Sequence, residues 1–261
     1  MILLLLCLAG SYPLWTTGAI WYIVAGLLHL TLGDIALFAA FRRLGPRLGV
    51  LMVGSLAPPT ALLAEGCILG TTLTGSQLLC GAAVLVLVAT AVAPRERQHL
   101  SAHELCLGLL FGAVAAVGQG LGTTLQRVGN VQMTDPISQP WTVTFLRVSA
   151  GALGVGIWML FLHLNRKKPF KKPTELFPHQ KIKGNPAFWL ILSTLLGPLL
   201  GMYCLSAALE STPAALVQAV ITTMPVFMIP VAWILDGNAP SLRSIFSGSA
   251  AVGLTALLMF L

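Results

Sequence analysis

Asp34 places a carboxylate inside an apolar stretch, "YIVAGLLHLTLGDIALFAAF" at residues 22–41. A charged group near the centre of a bilayer costs roughly 2.5–3.5 kcal/mol on insertion scales, so it faces a cavity or a partner. As chemistry, Asp34 is a proton site or a counter-charge for an amine. As structure, it is a partner for another helix, or a group hydrated near the interface. Gln119, Thr123 and Gln126 follow one another at i, i+4 and i+7, one face of a helix. Their stretch "GQGLGTTLQR" is glycine-rich, which admits either a substrate or a neighbouring backbone. Gln218 and Thr222 repeat the i, i+4 spacing just before Pro225, and Ser55 lies just before Pro58. Tyr203 offers a hydroxyl and a ring face. These eight side chains (Asp34, Ser55, Gln119, Thr123, Gln126, Tyr203, Gln218, Thr222) are the candidates for lining a cavity; helix-to-helix hydrogen bonding is the alternative for Gln119, Thr123 and Gln126, and aromatic packing for Tyr203. Glu65, near the end of its apolar run, reads as an interfacial group, and His29 as a packed imidazole.

The elements that must position them are membrane helices. The chain has 261 residues, 56% hydrophobic and 9% charged, with mean hydropathy +0.87. A soluble domain carries about 25% charged residues. Runs of the length a span needs, about 20 apolar residues, occur at roughly 1–15, 20–41, 46–68, 74–93, 104–126, 139–163, 187–209, 213–236 and 241–261. The first is short and reads as a partial helix; it lacks the basic start of a signal peptide. The runs are too long and too uniformly apolar for alternating barrel strands. The five cysteines are scattered in apolar runs and read as small buried hydrophobes, with no metal or redox site and no cofactor motif.

The net charge of +7 is a matter of topology, which argues against a nucleic-acid partner. Seven of the 15 Lys and Arg fall in "NRKKPFKKPTELFPHQKIKG" at 165–184. With nine alternating spans, 13 of the 15 lie on the face of that loop, leaving Arg127 and Arg147 on the other. Basic loops stay cytoplasmic, so 165–186 is predicted to be a cytoplasmic loop. Anionic lipid is a natural neighbour for it.

Two prolines, Pro58 in "SLAPPTALL" and Pro225 in "TTMPVFMIP", sit in mid-span, where each removes a helical hydrogen bond. A shift of 167 residues superposes them. The same shift pairs Ala40 with Ala207, Pro46 with Pro213, Val53 with Val220, Gly70 with Gly237, Gly81 with Gly248 and Ala83 with Ala250, without a gap. The paired helices are five apart in the count, so they cross in opposite senses. Inverted repeats mark secondary transporters, with the substrate site near the midplane between the halves. Pro58 and Pro225 are therefore expected to kink related helices across that site.

The residues that carry this repeat resemble a known family. "ALFAAFRRLGPRLG" (36–49), Leu56-Ala57-Pro58, Gly70 and Gly81-Ala82-Ala83, then "CLSAALESTPAALV" (204–217), Met224-Pro225-Val226, Gly237 and Gly248, resemble the two repeats of EamA-type members of the drug/metabolite transporter superfamily. "PWTVTFLRVSAGAL" (140–153) resembles the second helix of a repeat, with Arg147 at its usual arginine. The glutamate that the family places after the repeat's glycine is Thr71 in one copy and Asn238 in the other, so its role does not carry over. The resemblance implies an all-α polytopic helix bundle, an inverted repeat of five-helix units. About nine helices are present, the first unit lacking its first helix and part of its second. The units would be 1–93 and 104–261, joined by a connecting loop at 94–103. It also implies alternating access of small organic solutes or metabolites through a central cavity, in a bacterial plasma (inner) membrane. The partners would be a small-molecule substrate, membrane lipid, a coupling proton or ion, and a second copy as a homodimer. Two other classes compete: an inactive remnant or assembly partner, and an intramembrane enzyme. The second lacks a nucleophile–base pair or paired acids on neighbouring spans.

Overall fold

A computed structural model describes residues 18–72, 74–92, 101–132, 140–165 and 186–223, with a few positions between 246 and 257. All regular structure among the described residues is helical. The expected spans 1–15 and 241–261, the second half of 213–236 with Pro225, and the basic loop lie wholly or mostly outside them.

Helix α1 (Ala19–Gly26) runs into a π-helical segment, Leu27–Gly33, and on into α2 (Asp34–Leu69). A π turn closes its hydrogen bond five residues back, and the Asp34 N–H donates to the His29 carbonyl in this way. In an α-helix, residues five apart lie about 140° apart around the axis. The extra residue of the π turn brings Asp34 round towards the face of His29.

The helical assignment of α2 is unbroken, yet the chain reverses within it. Leu44 packs on Gly108 and Met52 on Gly112. Ring atom Cε1 of Phe41 lies 2.7 Å from where a Cβ on Gly49 would sit. Residues eight apart in a straight helix are separated by about 12 Å. The expected loop at 42–47 is thus replaced by a tight reversal in helical backbone around Gly45 and Pro46. Two apolar spans result, Ala19–Leu44 and Met52–Leu69. The second ends at Gly70, whose φ of 65° is left-handed and suited to glycine.

Helix α3 (Gly75–Val92) starts with a reciprocal cap. The Thr74 N–H donates to Gln77 Oε1 at 3.0 Å, and the Gln77 N–H to Thr74 Oγ1 at 3.3 Å. Helix α4 (Ala102–Gln132) has 31 residues, so it is about 46 Å long and outreaches a hydrocarbon core of about 30 Å. Helix α5 (Pro140–Asn165) begins on a proline, as helices readily do. Helix α6 (Pro186–Thr194), a second π segment (Leu195–Gly201) and α7 (Met202–Ser211) form one continuous run. Helix α8 (Ala214–Ile221) follows Pro213. Five of these runs are long and apolar enough to cross a membrane.

Helix α4 is the spine, held between the two arms of the α1–α2 hairpin. Lipid offers no hydrophobic drive for helix association, so small residues make the contacts. Ala36, Val53, Ala57, Ala115 and Ala116 form one cluster, and Ala61, Leu209, Ala214, Ala215 and Val217 another. At Gly118 the approach is backbone to backbone: a Cβ there would lie 2.7 Å from the Leu28 carbonyl oxygen and 3.1 Å from Gly33 Cα. Large apolar side chains face outward on α5, including Leu153, Ile157, Leu160 and Leu164. Cys67, Cys106 and Cys204 are exposed too, rather than buried as their apolar context suggested.

The hydrogen bonds fix directions. Tyr22, at the start of its span, and Leu209, at the end of its own, both bond to Asn130. Glu65, late in its span, reaches the N–H of Ala215 at the start of α8. The spans 19–44 and 187–211 therefore run in opposite senses, as do 52–69 and the described part of 213–236. Arg147 lies in a helix, as its place in the 139–163 run implies, and Arg127 is helical too, inside α4 rather than beyond the 104–126 run.

Candidate functional site

A cavity of about 940 Å³ lies between these elements. Both π segments reach its wall, the first through His29 and Leu30 and the second through Gly197 and Gly201. The rest comes from Asp34 of α2, Gln119 of α4, the middle of α5, α7, Thr212 and α8. Most of the surface is apolar, from side chains such as Val148, Val155, Met159, Met202 and Leu205; the ionisable or amide groups on it are His29, Asp34, Gln119 and the Cys204 thiol. A binding site that is largely apolar with a few placed polar groups is the usual design for small organic ligands.

The candidates read from the sequence fall into three places. Asp34 and Gln119 line the cavity. Thr123 and Gln218 stand directly behind Gln119: its amide donates to Gln218 Oε1 at 3.2 Å, and Gln218 Nε2 donates to Thr123 Oγ1 at 3.2 Å. Gln218 and Thr123 are fully buried, so this chain of amides ties α4 to α8 at the cavity wall. The remaining four are outside the lining. Gln126 is buried and accepts from the Arg147 guanidinium. Thr222 is buried and donates to its own Ala219 carbonyl at 2.6 Å, beside Gly54. Ser55 is half-buried. Tyr203 stacks on Trp141 with ring centroids 4.1 Å apart. Pro58 is buried within the helical course of α2, facing protein, and Pro225 lies outside the described residues.

Three groups were misjudged or only partly foreseen from the sequence. Glu65 is 1% exposed, not interfacial. It pairs with Arg127 Nε at 2.7 Å and accepts the Ala215 N–H at 3.3 Å. That bond caps the start of α8, where orphan amides and the helix dipole favour a carboxylate. His29 packs against Gly122 and Arg147 and also reaches the cavity wall. Arg147 is wholly buried behind it, with one guanidinium nitrogen 2.8 Å from His29 Nδ1. Its place is set by Gly26, where a Cβ would lie 2.9 Å from Arg147 Cα, so α1 and α5 touch backbone to backbone. The signal was available: an arginine seven residues into an apolar run needs a partner inside the bundle.

Comparison with known proteins bears on the same architecture. One solved structure, described only as "Crystal structure of protein", matches with a TM-score of 0.66 at 18% identity, over 95% of this chain and 77% of that one. That likeness is one of fold. No curated protein sequence matches. The sequence profile of the EamA-like transporter family matches residues 106–261. This chain, with its apolar spans around a cavity, belongs to the EamA-like transporter family, membrane transporters of the drug/metabolite transporter superfamily.

Proposed function

We propose that the chain is a secondary transporter that carries a small organic solute through the central cavity by alternating access. The observation that carries this reading is the meeting of both π segments on the cavity wall. They occupy residues 27–33 and 195–201, a spacing of 168, within one residue of the 167-residue repeat. π turns concentrate at functional sites. Paired helices that run in opposite senses support an inverted repeat. So does the crossing at Gly54, where a Cβ would lie 3.7 Å from Thr222 Cβ. Ser55 and Thr222 are equivalent positions, and a twofold axis brings equivalent positions together.

On this reading Asp34 and Gln119 meet the cargo, while Gln218 and Thr123 hold Gln119 in place. Pro58 leaves the carbonyl of Gly54 without its helical partner near the crossing. The basic loop lies in the cytoplasm. Purified protein in proteoliposomes should move members of a panel of small organic solutes. Asp34→Asn and Gln218→Ala should each lower that flux while leaving the unfolding temperature within a few degrees. Undiminished flux in both variants removes them from the site. Absence of flux across the whole panel, with the protein shown folded, sinks the reading.

A further inference from the structure

One polar group on the cavity wall has a fixed donor character. A guanidinium carries five N–H donors and no acceptor. The Arg147 nitrogen 2.8 Å from His29 Nδ1 must therefore donate, and Nδ1 must accept. The ring hydrogen then sits on Nε2. With Nδ1 taken up by Arg147, Nε2 is the nitrogen left for the cavity that the ring lines. Arg147 is 0% exposed, and no carboxylate pairs with it among the described residues. Among the described residues its Nε has no hydrogen-bond partner. A buried cation with no counter-ion among the described residues sits one ring away from the wall, where a low local dielectric gives its charge long reach.

We propose that His29, its tautomer fixed by Arg147, is the specificity-determining donor of the cavity and selects cargo with a carboxylate on an apolar body. The inference rests on the transport reading above. The apolar body would lie along Val148, Val155, Met159 and Leu205. Asp34, one π turn along the same face, limits the charge. A single carboxylate fits on the His29 side of it, and a second would meet Asp34. Arg147 acts through the ring and is a positioning residue.

The test needs no flux assay, so it can fail while the transport reading stands, and the reverse. Full-length protein carrying ¹⁵N-histidine is placed in lipid nanodiscs, and His29→Gln identifies the His29 signals. The expected spectrum is that of the Nε2–H tautomer; an Nδ1–H tautomer or a doubly protonated ring overturns the inference. Titration with 3-phenylpropanoate should move the Nε2 signal. 3-Phenylpropylamine and phenylsuccinate should leave it in place. An amine that moves it as far as the monocarboxylate, or a monocarboxylate that leaves it unmoved, overturns the selectivity. Arg147→Lys, which still donates to Nδ1, should keep the tautomer, whereas Arg147→Met should release a mixture of both. A pure Nε2–H ring in folded Arg147→Met removes Arg147 from its role. If that variant does not fold, the wild-type and Arg147→Lys spectra decide alone.

Discussion

The two ends of the bundle are tied in different ways. At the end holding Glu65, the bonds cross between helices and are centred on a carboxylate shut away from water. Glu65 joins α2 to Arg127 of α4 and to the start of α8. Tyr22 donates to Asn130 at 2.9 Å, and Asn130 passes on to the Leu209 carbonyl at 3.0 Å. Trp21 donates to Gln132 at 2.7 Å. At the opposite end, the tie between α2 and α4 is Arg43 with Glu104 at 3.4 Å, with side chains 28% and 49% exposed, helped by Arg43 over the Phe111 ring. The first end is a network joining five elements. The second is a solvated ion pair between two. The same pair of residue types does different work in the two places because water is excluded from one and present at the other.

The comparison predicts a ranked series, each member measured by chemical or thermal unfolding in one detergent. Glu65→Ala should be the worst. It strands the largely buried Arg127 charge and uncaps α8, and breaking a buried pair costs about 3–5 kcal/mol. The double swap Glu65→Arg with Arg127→Glu should recover part of that loss but not all. It restores the pair while leaving the Ala215 N–H without its carboxylate. Complete recovery would show that the cap contributes nothing. Tyr22→Phe removes one hydroxyl from the network and should lose about 0.5–1.5 kcal/mol. Glu104→Gln should be the mildest, about 0–1 kcal/mol and shrinking as salt is raised. A Glu104→Gln loss equal to that of Glu65→Ala would erase the distinction between the ends.

Much of this fold was readable from the chain, and the failures share a cause. Apolar runs fixed the spans because a bilayer imposes length and composition together. Asp34 and Gln119 stood out as polar groups inside such runs, and both reach the cavity. Glu65 was misread because closeness to a helix end was equated with exposure. In a bundle, the end of one helix can be roofed by the start of another, as α8 roofs α2. Arg127 falls just past its expected span 104–126 and was left to the membrane face for the same reason, although α4 runs on to Gln132. The first π segment left little mark in the sequence, since Leu, His and Thr at 27–32 occur in α-helices as well, whereas the second carries Gly197 and Pro198 in mid-run. The first segment lies against α4 and α5, and there Thr31 donates to the Gly151 carbonyl at 3.1 Å. The reversal around Gly45 was located to within a few residues, but its helical backbone was not foreseen.

Each π segment holds one residue more than an α-helix needs over the same course. These are the stretches where a span can lose a residue without breaking its helix. Removing Leu28 would let the segment relax to α-helical winding while the flanking helix keeps its course, and residues five apart would return to about 140° around the axis. His29 and Asp34 would then no longer share a face. The azimuth of the carboxylate is set by a surplus residue, so single-residue deletions would read out the site where most substitutions would not.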